Sequence, residues 1–172
     1  VATPSCNATS TAVTVTEPAT AITASATAGT AIVCNGGTTT LIVTATGGTG
    51  ALEYSLNGGA FQASNVFTVS GGTYTVTVRD ANLCTVATAP VTVTQPSAIS
   101  VSAGITTPIP IPGGTGTITV TASGGTGAKT YVITSGTTIN TTGATSGVFT
   151  GLLAGSYTFT ATDANGCTAT AS

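Results

Sequence analysis

GTYTVTVRDANLC, residues 72–84, is the stretch on which the fold turns. In Thr73-Tyr74-Thr75-Val76-Thr77-Val78 the apolar side chains fall at every second position, so Tyr74, Val76 and Val78 share one face and threonines cover the other. A period of two is the mark of a half-buried β-strand. The stretch returns as GSYTFTATDANGC at 155–167, with Tyr157, Phe159 and Ala161 inward. Working outward, Gly47-Gly48-Thr49-Gly50 recurs 77 residues on (47 to 124) as Gly124-Gly125-Thr126-Gly127. The same offset takes Leu41, Val43 and Tyr54 to Ile118, Val120 and Tyr131. By Asp80 and Asp163 the offset is 83, so the second copy carries six extra residues between Tyr131 and Gly155. Self-similarity at this spacing predicts a tandem array of small domains rather than a short-period solenoid. Val91-Thr92-Val93-Thr94 and Thr117-Ile118-Thr119-Val120 supply further half-buried strands, and Gly, Asn and Pro clusters punctuate them at sandwich spacing. No stretch has a sustained helical stripe. The expected fold is all-β, two tandem antiparallel β-sandwiches with Greek-key character.

The repeat is cut out of phase. Residues 6–18 read CNATSTAVTVTEP and residues 84–96 read CTVATAPVTVTQP, with Cys, Val-Thr-Val-Thr and Pro in register. A third copy begins at Cys167 as CTATAS, up to Ser172. The front of the sequence thus carries the closing strand that the second copy needs. This predicts an N-terminal donor segment at 1–18, a first domain at 19–96 and a second at 97–172 that lacks its closing strand.

Charged residues are 3% of the chain, with Arg79 and Lys129 the only cations and a net charge of −2. That excludes a basic surface for nucleic acid. Threonine makes up about a quarter of the residues, a β-branched excess that favours strands. Hydrophobic residues are 41%, alternating with threonine, so low charge does not imply disorder. No apolar run is long enough to span a bilayer, so no membrane insertion is expected. The sequence opens on Val1 with no basic-then-apolar leader, as expected of a processed mature chain. Four cysteines without histidine or a CxxC pair argue against zinc and thioredoxin-like chemistry and for disulfides in an extracellular, oxidising setting.

The order Cys34-Asn35-Gly36, Gly47-Gly48-Thr49-Gly50, Tyr54, Gly72-Thr73-Tyr74-Thr75-Val76-Thr77-Val78, Asp80-Ala81-Asn82 and Cys84 resembles the SprB-type repeats. Those repeats occur in very large surface adhesins of gliding bacteria and in related secreted proteins. The resemblance implies an immunoglobulin-like sandwich on a cell surface or in secreted material, often exported by the type IX route, and no enzyme. It departs from the pattern at Ile111, which stands where Cys34 would recur. From the family-matching positions, Cys34 and Cys84 are expected to form a disulfide within the first domain, a closure worth about 4 kcal/mol in the chain-entropy model. With Ile111 leaving Cys167 without a partner in its own domain, Cys6 of one subunit is expected to bond Cys167 of the next; the alternative is a free Cys167 packed as a small apolar residue.

Few constellations could carry chemistry. Histidine is absent, which removes the usual general base, and Asp80 and Asp163 are repeat equivalents rather than a catalytic pair. Each precedes Ala-Asn after a strand, where a carboxylate accepts backbone N–H bonds in a turn. Calcium would use the same oxygens but needs six to eight ligands, with one acid per loop on offer. The Gly-Gly-Thr-Gly loops lack the lysine and helix of a phosphate loop and read as turns. Tyr54, Tyr74, Tyr131 and Tyr157 fit core packing better than sugar stacking. Asn7-Ala8-Thr9 and Asn140-Thr141-Thr142 match the glycosylation pattern, and the threonine faces leave room for O-linked sugars. No catalytic, cofactor or metal site is expected.

The expected function is a structural subunit of an extracellular filament, polymerising with itself head to tail. Val13-Thr14-Val15-Thr16 is the strand donated into the second domain of a neighbour. The alternative is an adhesive repeat of a larger surface protein that binds glycans or another surface through its loops.

Overall fold

The computed structural model describes residues 10–14 and 20–172. Its strands run β1 (Thr23–Ala28), β2 (Thr39–Thr46), β3 (Glu53–Leu56), β4 (Val66–Val69), β5 (Gly72–Tyr74), β6 (Val76–Arg79), β7 (Thr85–Ala87), β8 (Val91–Val93), β9 (Ser100–Thr107), β10 (Gly116–Ser123), β11 (Thr130–Ser135), β12 (Val148–Leu152), β13 (Thr158–Thr162) and β14 (Thr168–Ala171). Every pairing is antiparallel.

The first eight strands close around one core. One sheet has the order β1-β2-β4 and the facing sheet β3-β6-β7, with β5 and β8 forming a separate two-stranded pair. Leu41, Val43, Val76 and Val78 are fully buried between them. They are the buried members of the alternating runs, and the intervening Ile42 and Thr77 face outward or sideways. The later strands repeat the plan as β9-β10-β12 against β11-β13-β14, around Val120, Ile133, Phe149, Leu152, Tyr157 and Phe159. In both sandwiches the first, second and fourth strands form one sheet and the third lies in the other, a division of strands that is that of an immunoglobulin-like sandwich.

A second hallmark accompanies it. The Tyr74 hydroxyl donates to the Ser70 carbonyl at 3.1 Å, and the Tyr157 hydroxyl to the Leu153 carbonyl at 2.8 Å. A tyrosine just ahead of β6 and of β13, bonded four residues back, pins the corner where the chain changes sheet. Both rings, with Tyr54 and Tyr131, belong to the two cores.

Candidate assembly interface

The two sandwiches differ at one edge. In the first, β8 hydrogen-bonds to β5 and lies beside β1, placing Val93 in the core with Val91 packed against it. Beneath this strand Leu41 is wholly buried. Among the described residues the second sandwich has no counterpart of β5 or β8: Gly155, Ser156 and Tyr157, which match Gly72, Thr73 and Tyr74, lie in no strand. Ile118, the match of Leu41, is left half-buried, and Ile105 on β9 is 74% exposed. The result is a groove of about 290 Å³ lined by Ile105, Ile109, Ile118, Leu152, Leu153 and Tyr157. Its walls are largely apolar, and Gly155 and Tyr157 on its border lie in no strand.

Val13 and Thr14 are described as exposed chain outside any strand, with Val13 87% exposed. Val15, Thr16 and Cys6 lie outside the described residues. By sequence, Val13-Thr14-Val15 is Val91-Thr92-Val93, whose register in the first sandwich pairs Tyr74 with Val91 and Gly72 with Val93.

The cysteines pair across the two sandwiches. Cys34 is bonded to Cys167, 133 residues away, with a Cα separation of 5.7 Å. Cys84 is exposed and unbonded. The expected Cys34–Cys84 bridge is therefore not formed, and the reason is geometric. Cys34 follows β1, at the end of the sandwich where Ala28 faces Leu41, whereas Cys84 sits in the β6–β7 turn. That turn is tied to the opposite end of β2, where the Thr49 N–H donates to Asp80 at 2.9 Å. Eight residues of β2 separate the two ends, about 25 Å at the rise of a strand. The expected bond from Cys6 of one subunit to Cys167 of the next is overturned as well, as is a free Cys167, because its sulfur is committed to Cys34. The length of β2 between the Cys34 loop and the Gly-Gly-Thr-Gly loop was the signal that could have told these ends apart.

Around the disulfide the two sandwiches form a joint. The Asn165 side chain donates to the Val33 carbonyl at 3.2 Å. Asn35 donates to the Pro96 carbonyl at 3.0 Å, and the Gly36 N–H to the Gln95 side chain at 2.9 Å. A cavity of about 390 Å³ remains in the joint, bordered by Cys34, Pro96, Ile99, Asp163, Gly166 and Cys167.

Both aspartates organise the turns that present these surfaces. Asp80 accepts from the N–H groups of Thr49, Asn82 and Cys84, and Asp163 from those of Thr126, Asn165 and Cys167, all at 2.8–3.0 Å. The Thr49 and Thr126 amides are the largest influence holding each carboxyl below its ordinary pKa, against the opposing effect of burial. These are turn-capping carboxylates. Gly48 and Gly125 allow the approach: each has positive φ, and a Cβ there would meet the aspartate carboxylate and Ile22 or Ile99 at 2.7–3.1 Å. Asn140 of the glycosylation pattern is half-buried and donates to the Thr150 carbonyl at 2.9 Å. Among the described residues no group of three or more His, Cys, Asp or Glu is placed to hold a metal ion, and no helix is long and apolar enough to cross a membrane.

No protein-family model and no curated protein matches the sequence. Among solved structures the chain is similar to three N-terminal domains of the bacteriophage RB49 highly immunogenic outer capsid protein, Hoc. That match has 18% identity and a TM-score of 0.41, over 88% of this chain and 57% of that one. It is also similar to a C-terminal 282-residue fragment of intimin, solved in complex with the intimin-binding domain of the translocated intimin receptor. Here identity is 16% and the TM-score 0.40, over 88% of this chain and 63% of that one. The chain thus spans about three fifths of each of these two structures.

Proposed function

We propose that this protein is a structural subunit of an extracellular filament, built by donating the N-terminal strand of one subunit into the second sandwich of the next. The observation that carries the reading is the pairing, within one chain, of an apolar strand slot beside Tyr157 with an exposed segment whose sequence is that of the strand filling the same slot in the first sandwich. In this register Val13 lies opposite Tyr157 and Val15 opposite Gly155, covering Ile118. Strand addition supplies main-chain hydrogen bonds for affinity and side-chain pockets for register. Burying the two valines contributes about 1.5–3 kcal/mol each. Donor and acceptor are different surfaces, so the contact is heterologous and propagates as an open fibre. The SprB-type resemblance agrees with a surface or secreted setting.

Negative-stain microscopy of the purified protein is the test. The wild type is expected to form filaments, and Val13→Asp with Val15→Asp to remain monomeric with an unchanged far-ultraviolet spectrum. Filaments of normal appearance from the double variant would overturn strand donation. If the slot proves to be filled by the same polypeptide within a longer native protein, the reading becomes that of an adhesive repeat in a larger surface protein.

A further inference from the structure

The joint between the two sandwiches is a template, because each of its halves is present a second time, unpaired among the described residues, at the far ends of the molecule. The half given by the first sandwich is the loop Ile32-Val33-Cys34-Asn35-Gly36-Gly37; in the second sandwich the same positions read Ile109-Pro110-Ile111-Pro112-Gly113-Gly114. The backbones agree: Gly36 and Gly113 have φ of 78° and 76°. The Gly37 N–H donates to the Cys34 carbonyl at 3.1 Å, and the Gly114 N–H to the Ile111 carbonyl at 3.0 Å. The half given by the second sandwich is the Asp163–Cys167 turn, and the Asp80–Cys84 turn has the same capping bonds. Inside the molecule the loop after β1 meets the turn after β13. The loop after β9 and the turn after β6 have no such partner among the described residues.

We infer that these two ends meet between copies, the Asp80–Cys84 turn of one subunit docking on the Ile109–Pro112 loop of the next, as an apolar version of the internal joint. This rests on the filament reading, and it adds a second contact beside the donated strand. The exchanges between template and copy are complementary. Ile111, 65% exposed, replaces Cys34, so the copied joint carries no disulfide and Cys84 keeps its thiol. Leu83, 68% exposed, replaces Gly166. A Cβ added at Gly166 meets nothing within 4 Å, and Gly166 borders the cavity of the internal joint. A leucine at that point therefore has a space to fill. Leu83 also holds a φ of 65°, a left-handed conformation costly for a branched side chain, in a turn where glycine serves the second sandwich. Opposite it lies a depression of about 490 Å³ lined by Ile109, Ile111, Pro112, Thr137 and Leu153. The occupant is a second copy of this chain, because the internal joint already shows this turn seated on this loop.

The test restores the missing cysteine. Ile111→Cys, in a Cys6→Ser background, recreates the Cys34 position opposite Cys84 of the neighbouring copy. With dioxygen and copper phenanthroline as oxidant, the two thiols give up two protons and two electrons to form one disulfide. A non-reducing gel is expected to show a ladder in steps of 16.3 kDa, absent after Cys84→Ser and collapsed by reductant. Filaments visible by microscopy but a single monomer band would overturn the joint and leave strand donation standing; a ladder that survives Cys84→Ser would overturn it too. In a preparation without filaments, which counts against strand donation, Cys84-dependent dimers still support the joint and monomers alone overturn it. As a second readout, Leu83→Asp and Ile111→Asp, both at exposed positions, are each expected to raise the concentration needed for filaments about tenfold with unchanged melting. No change in either would count against the contact.

Discussion

Asp80 and Asp163 each receive three backbone amides while standing between two loops of their sandwich. Their carboxyls are held below the ordinary value chiefly by the Thr49 and Thr126 amides. A depressed folded-state pKa contributes stability that is complete above the unfolded value and is lost as pH falls through the folded one. Melting temperature is thus expected to hold from neutral pH down to about the ordinary aspartate pKa and to fall below it. Asp163→Asn is expected to melt lower at neutral pH and to lose much of that acid dependence, as calorimetry from pH 7 to 2 would show. Tyr157→Phe removes the bond to Leu153 and is expected to cost about 1 kcal/mol in urea unfolding. Leu83→Gly makes the opposite prediction: relief of the left-handed backbone is expected to raise monomer stability by up to about 1 kcal/mol, while weakening filaments if the end contact forms. The turn-capping role of the aspartates was legible because each stands after an alternating run and before Ala-Asn, where chemistry leaves a carboxylate little else to do. Leu83 was not legible; a single residue at a turn reveals its φ only when the turn is seen.

Elements carry the main asymmetry. β8 is three residues long, yet it converts an open edge into a closed core, with Val93 buried and Val91 beside it. Val93→Ala is expected to destabilise the first sandwich by about 1.5–3 kcal/mol, whereas Val13→Ala leaves the melting of an isolated subunit unchanged. Urea titrations of the two variants below the concentration for assembly would separate them. A synthetic peptide of residues 10–18 is expected to raise the melting temperature of the donor-strand variant, since a ligand that binds only the folded form stabilises it by mass action. The strands themselves were readable because valine, isoleucine, tyrosine and phenylalanine alternate with threonine. The slot was readable only by arithmetic between copies. Its apolar lining follows from β9, β10 and the segment before β13 arriving together, which no single run encodes.

At the scale of the whole molecule the disulfide is the feature that sequence reasoning placed wrongly. Repeat arithmetic assigns cysteines to a copy, but the bond forms between copies, because the loop after β1 and the turn after β13 are the ends that abut when sandwiches stack in series. Closing 133 residues contributes about 5 kcal/mol in the chain-entropy model. Reduction, or Cys34→Ser with Cys167→Ser, is expected to leave both sandwiches folded and to broaden the angle between them, which small-angle scattering would register as a changed radius of gyration. An unchanged scattering profile would mean that the Asn165 bond to Val33 and the linking chain hold the joint unaided.

The same bond has a mechanical consequence. Tension passing through the chain from β8 to β9 would ordinarily run through the few residues between them, leaving a hinge free to bend and twist. The Cys34–Cys167 bridge is a second tether set to one side of that link, so the two sandwiches share load and resist bending as one stiff rod. With Ile111 in place of cysteine, the next joint along the proposed fibre would have no such strut. A thread assembled from these subunits would alternate rigid and compliant couplings, flexing once per subunit, and the addition of reductant would soften it at the remaining positions and halve the spacing of its hinges.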